Sequence, residues 1–143
     1  MKSEIVSSDW SPVLALQRAA HATAHALTAR LADLDLTASE INALANLADD
    51  QGRTVSALAA AVGSRPSTLT SVMDRLEGRG YITRGSRAGD RRAVVVELTS
   101  SGRTVATTIR KAISELEGRA LGGQQAEAIA SLRAALHALT EVS

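Results

Sequence analysis

Residues 55–74 read VSALAAAVGSRPSTLTSVMD, and the fold turns on this stretch. Apolar residues recur at helical spacing on both sides of Gly63. The start and stop signals predict one helix over about residues 56–62 and a second over about residues 65–79. Ser64 stands as N-cap of the second helix and Pro66 in its first turn. Two helices that nearly touch need a small residue at the contact and a turn residue that tolerates positive φ. Ala59, four residues before Gly63, meets the first need and Gly63 the second. Leu58, Val62, Leu69 and Val72 occupy the offsets that hold such a pair together. The pattern is a helix-turn-helix.

Outward from this centre, Gly80 closes the second helix, whose inner face is Leu69, Val72, Met73 and Leu76. Residues 81–84 and 93–98 read as strands, the latter carrying Val94-Val95-Val96. Residues 85–92, GSRAGDRR, form a glycine-loosened basic loop between them. A helix-turn-helix followed directly by such a hairpin is a winged helix. Upstream, Ser11-Pro12 opens a first helix with a narrow seam of Val13, Leu16, Ala20, Ala24, Leu27, Leu31 and Leu34. Thr37-Ala38-Ser39-Glu40 is a capping box for a second helix with Ile41, Leu44 and Leu47 inside. Downstream, Thr99 caps a helix that buries Val105, Ile109, Ile113 and Leu116. Gly122-Gly123 breaks the chain before a last helix with Ile129, Leu132, Leu136 and Leu139.

The expected class is therefore mainly α, an α+β winged helix with six helices and a wing hairpin of two to three strands. Residues 1–143 form a single domain, with residues 37–99 as the winged helix-turn-helix DNA-binding unit. Residues 11–35 and 100–141 are the terminal helices. Their apolar faces are covered either by a second copy in a two-fold dimer or by one another within a monomer.

Composition narrows the chemistry. One chain of 143 residues, 45% apolar and 22% charged, buries a core without staples. With no cysteine, a disulfide framework, a thiolate metal site and a cysteine nucleophile are excluded. The longest apolar run, residues 57–62, is far too short to span a bilayer, and no apolar stretch follows Met1-Lys2-Ser3-Glu4. A cytoplasmic, nucleoid-associated location without membrane contact is expected. Fourteen arginines stand against Lys2 and Lys111, a bias that either a GC-rich genome or recognition of planar anions produces. Residues 63–92 hold seven arginines against Asp74, Glu77 and Asp90, a window of +4 in a chain of net +1. That outline fits a reader of double-stranded DNA, and also a solvated arginine-rich face.

With the inner face of the second helix fixed, Arg65, Ser67, Thr68, Thr70, Ser71 and Arg75 point outward. Hydroxyls and arginine at the N-terminal part of such a helix reach phosphates or base edges in the major groove. Ser64 and the helix N-terminus suit a phosphate. In the wing, Arg84, Arg87, Arg91 and Arg92 are the candidate contacts. Asp90 repels phosphate, so its place there is to orient an arginine.

Three segments carry a family resemblance: Leu76-Glu77-Gly78-Arg79-Gly80-Tyr81-Ile82 with Arg84, then Asp90-Arg91-Arg92-Ala93, then Leu98-Thr99-Ser100-Ser101-Gly102. Together with the helix order they resemble the MarR-type regulators of bacteria, over nearly the whole chain. The resemblance implies a homodimeric winged-helix repressor or activator, with a repressor expected, on a pseudo-palindromic operator. It implies release by a small anionic or phenolic effector, and gives Arg92 the minor-groove role with Asp90 orienting it. The cysteine near the first helix that marks the redox-sensing branch is missing here. So are most of the aromatic residues that line ligand sites in the family, since Trp10 and Tyr81 are the only aromatics.

Other constellations are weaker. His21 and His25 lie four apart on the first helix, a spacing at which two imidazoles share a metal, but they also fit as polar residues beside the seam. Arg18, His21, His25 and Arg110 are the candidate cations for an anionic effector where the first and fifth helices meet the winged helix. Neither acid pair, Asp33/Asp35 or Asp49/Asp50, has an acid-base partner, and no nucleophile elbow or phosphate-cradling loop occurs. No enzyme, cofactor or metal is expected. Two other function classes share these features: a non-specific architectural or protein-interaction winged helix, and a ligand- or metal-sensing helical dimer. Hydroxyls on the recognition face speak against the first, and the intact basic wing against the second.

Overall fold

A computed structural model describes residues 10–87 and 90–142. The elements run α1 (Pro12–Arg30), a short 3-10 helix (Ala32–Leu34), α2 (Ala38–Asn46), β1 (Arg53–Thr54), α3 (Val55–Val62) and α4 (Pro66–Gly78). They continue with β2 (Ile82–Arg87), β3 (Asp90–Leu98), α5 (Ser100–Leu121) and α6 (Ala126–Thr140). The class is that expected: mainly helical, with six α-helices and a wing sheet. The chain divides into two compact units, Met1–Ala112 and Ile113–Ser143.

Capping chemistry fixes the helix starts. The Ser11 hydroxyl accepts from the Leu14 N–H, with Pro12 at the first helical position. Thr37 and Glu40 form the full capping box: the Thr37 hydroxyl accepts from the Glu40 N–H and the Glu40 carboxylate from the Thr37 N–H. Thr99 accepts from the Gly102 N–H at 3.0 Å and donates to the Gly80 carbonyl at 2.6 Å. That one hydroxyl joins the start of α5 to the turn after α4.

The core of the first unit lies under the winged helix. Leu44, Leu47, Leu58, Leu69, Met73, Leu76, Ile82, Val96 and Ile109 are its largest fully buried side chains. Each such side chain contributes roughly 1.5–3 kcal/mol relative to exposure. Helix α5 adds Gly102, Ala106 and Ala112 to this core. The second unit has no buried residue among those described.

The wing sheet agrees with the two to three strands expected, while two other expectations change in extent. The wing sheet has three strands in the order β1-β3-β2, because Arg53 and Thr54 pair with Val96 and Val95. A two-residue strand leaves no periodic signal. The eight-residue loop expected at 85–92 is mostly strand. Gly85 pairs with Val95, Ser86 with Val94 and, past an irregularity, Arg87 with Asp90. The ladder to β3 overrides the low strand propensity of Gly85 and Ser86. Ala88 and Gly89 lie outside the described residues. The first helix also ends earlier than its seam suggests. Leu31 caps the helix at the boundary and Leu34 belongs to the 3-10 segment, which Asp35 closes at φ +52°.

Candidate nucleic-acid interface

The helix-turn-helix is built from α3 and α4. Ala59 is buried at the crossing, and Leu58, Leu69 and Val72 close around it, with Val62 half-buried. Gly63 takes φ +71°, and the turn is fastened by the Ser64 N–H donating to the Ala59 carbonyl at 2.9 Å. A side chain at Gly63 would meet open space, so it is the left-handed backbone that favours glycine here.

The N-cap of α4 is Arg65, one residue later than the expected Ser64. With Pro66 at the first helical position, Ser64 stands outside the cap and its hydroxyl donates back to the Arg65 carbonyl at 3.4 Å. No side chain caps α4, so its first-turn N–H groups face outward without an internal side-chain acceptor.

On α4, Leu69, Val72, Met73 and Leu76 are buried, while Arg65, Ser67, Thr68, Thr70, Ser71 and Arg75 are all exposed. The Thr70 hydroxyl donates to the Pro66 carbonyl at 2.9 Å, which leaves its lone pairs free to accept. An open groove of about 460 Å³ runs between α3, α4 and the wing. Thr54, Ser56, Thr70, Arg84 and Val94 are among its lining. Thr54 and Ser56 went unnoticed in the sequence. Thr54 caps α3 by accepting from the Ala57 N–H, but Ala57 stands where a capping box would show Glu or Gln.

The basic segment divides into two groups. Arg65 and Arg75 are exposed on α4. Arg79 and Arg84 are engaged within the fold. Arg79 donates to the carbonyls of Asp35 and Leu34 at 2.6 and 2.9 Å and lies 5.2 Å from the centre of the Tyr81 ring. Arg84 was expected among the wing contacts. Its side chain turns toward α4, where its Nη2 lies 2.7 Å from Asp74 and 2.8 Å from Glu77. The hydrogen bond from Arg84 holds the Glu77 carboxyl below the usual glutamate range, and the bonds to Glu77 and Asp74 raise Arg84 in turn. No local pattern signals this pairing, since Arg84 lies seven positions past Glu77 and ten past Asp74, on another element. Arg87, Asp90, Arg91 and Arg92 lie on β2 and β3, and their side chains fall outside the described residues.

The effector candidates are spread over two helices. Arg18, His21 and His25 are exposed on α1, and Arg110 is exposed on α5. Arg18 lines an open groove of about 290 Å³ with Ala15, Ala19 and Ala22. Among the described residues, no cluster of three or more His, Asp or Glu side chains is arranged to hold a metal, and no helix is long and apolar enough to cross a membrane.

Residues 36–94, the winged helix itself, match the family model described as MarR family. CouR from Rhodococcus jostii RHA1, solved bound to p-coumaroyl-CoA, is 24% identical. The match covers 99% of this chain and 98% of that one at a TM-score of 0.84. NadR, solved in complex with 4-hydroxyphenylacetate, is 21% identical over 100% of this chain and 99% of its own, with a TM-score of 0.83. S. aureus MepR, solved in a DNA-binding conformation, is 21% identical over 90% of this chain and 96% of its own, with a TM-score of 0.81. These three share the fold with this chain. The winged helix, residues 36–94, is that of the MarR family of transcriptional regulators, and the likeness of fold extends over the flanking helices.

Proposed function

We propose that the chain is a sequence-specific repressor that binds a pseudo-palindromic operator as a homodimer and is released by a small anionic or phenolic ligand. The observation that carries the reading is the outer face of α4. Arg65, Ser67, Thr68, Thr70, Ser71 and Arg75 are exposed together beside the wing, while the opposite face is buried. Such a helix enters the major groove by its N-terminal part, where hydroxyls and guanidinium groups find phosphates and base edges. The uncapped first turn of α4, with Ser64 beside it, faces a backbone phosphate. Arg87, Arg91 and Arg92 follow the backbone from the wing, with Arg92 in the minor groove and Asp90 orienting it.

The terminal helices, 11–35 and 100–141, form the dimer, leaving residues 37–99 as the DNA-binding unit. Support comes from exposure: neither α1 nor α6 has a buried residue, and Val13, Leu14 and Leu132 are exposed apolar side chains on them. A helix with an apolar seam and no cover is stabilised by a partner. Ligands of the relatives support the effector class, since p-coumaroyl-CoA and 4-hydroxyphenylacetate are both phenolic and anionic. Arg18, His21, His25 and Arg110 supply the cationic groups such a ligand needs.

Footprinting on a bound promoter fragment tests the reading. Saturating protein is expected to protect two matched half-sites about one helical turn, roughly 10 base pairs, apart. Protection of one half-site at saturation would overturn the dimer.

A further inference from the structure

We propose that Arg84 is a positioning residue for sequence reading: it sets the angle of the wing against α4 through Asp74 and Glu77, and does not itself touch DNA. The inference rests on the sequence-specific reading above.

Arg84 is the third residue of β2 and pairs with Val96 in the centre of the sheet. A single nitrogen, Nη2, reaches Asp74 Oδ1 at 2.7 Å and Glu77 Oε1 at 2.8 Å. Asp74 and Glu77 are one turn apart on α4 and therefore share a face. That face adjoins the outer one, because Asp74 follows Thr70 by four positions and Ser71 by three. Arg84 and Thr70 line the same groove. The Arg84 side chain is the least exposed member of the trio, at 24% against 61% for Asp74 and 43% for Glu77.

Affinity gives no reason for this arrangement. Two carboxylates on the helix that faces DNA repel phosphate, and a neutralised arginine contributes little attraction. Stability gives little reason either, since partly exposed ion pairs contribute weakly. Geometry does. A β-ribbon pivots about its base, and a hold three residues into β2 lies about 10 Å, at roughly 3.3 Å per residue, from Arg87. Fixing Arg84 on the recognition helix couples the two reading elements, so that wing and helix meet adjacent grooves in one register. The two N–H groups of one planar guanidinium nitrogen suit a bridge to two carboxylates, which a freely rotating lysine ammonium holds less rigidly.

The sign of one variant separates the readings. Asp74→Asn with Glu77→Gln raises the net charge by two, so electrostatics alone tightens binding to every duplex. The clamp predicts the opposite for an operator: affinity falls roughly five- to tenfold, a coupling of ordinary size, while binding to random duplex of equal length holds or tightens. Arg84→Gln is expected to give the same operator loss with the slope of affinity against salt unchanged, since no phosphate contact is removed. Arg84→Lys, which keeps the charge, loses less. Uniform weakening on both DNAs with a reduced salt slope in Arg84→Gln, or tighter operator binding by the double carboxylate variant, overturns the proposal. Amide exchange in the DNA-free full chain provides an arm that needs no operator. Exchange across residues 83–86 is expected to quicken in the double variant at an unchanged denaturation midpoint. Should the wild type prefer no sequence, the repressor reading fails, and unchanged exchange would then overturn the clamp separately.

Discussion

A methyl group at position 102 would run into the backbone carbonyl oxygen of Tyr81. Gly102 lies in the first turn of α5, and Thr99 fastens that turn both to the helix and to the Gly80 carbonyl. Helix propensity alone favours alanine over glycine by about 1 kcal/mol. Here the obstacle is backbone, which cannot swing aside as a side chain does. Gly102→Ala is therefore expected to destabilise the protein, by about 1–3 kcal/mol as for overpacked sites. The midpoint of chemical denaturation measures this, and a stabilised variant would contradict the packing described. The Leu98-Thr99-Ser100-Ser101-Gly102 segment thus has a physical account: Leu98 is buried, Thr99 caps and bridges, and Gly102 permits close approach.

At the scale of elements, what the sequence disclosed and what it concealed follow from range. Helix starts at Ser11, Thr37 and Thr99 were legible because a cap is written within four residues. The inner face of α4 was legible because a 3.6-residue period is local, and Leu69, Val72, Met73 and Leu76 are buried as expected. Strand extent was not, because Gly85 and Ser86 become strand only through their partners Val95 and Val94. The ion pairs of Arg84 were hidden for the same reason: its carboxylates lie 10 and 7 positions back, on another element. The Ser64 cap missed by one residue, since Pro66 fixes the helix start at itself. On α4, Arg75 is the exposed arginine on the third turn and the one proposed to read a base. Arg75→Ala is expected to lose about 1–3 kcal/mol on a matched duplex and to relax preference at one position. Equal weakening on all duplexes would make Arg75 a phosphate contact instead.

For the whole molecule, the distribution of burial is informative. The buried side chains concentrate under the winged helix, α1 and α6 contribute none, and residues 113–142 have no core of their own. Long helices without a covered face are marginal in water. In the proposed dimer a second copy supplies cover and, with it, two recognition helices related by a two-fold axis. The same symmetry is then imposed on the DNA site.

Selection of bound sequences from a random double-stranded pool, at near-physiological salt, tests this most directly. The account predicts enrichment of a pseudo-palindromic motif with two matched half-sites. Retained but steeply salt-dependent binding with no enriched motif would contradict it, and would mark the basic segment as a reader of DNA charge alone.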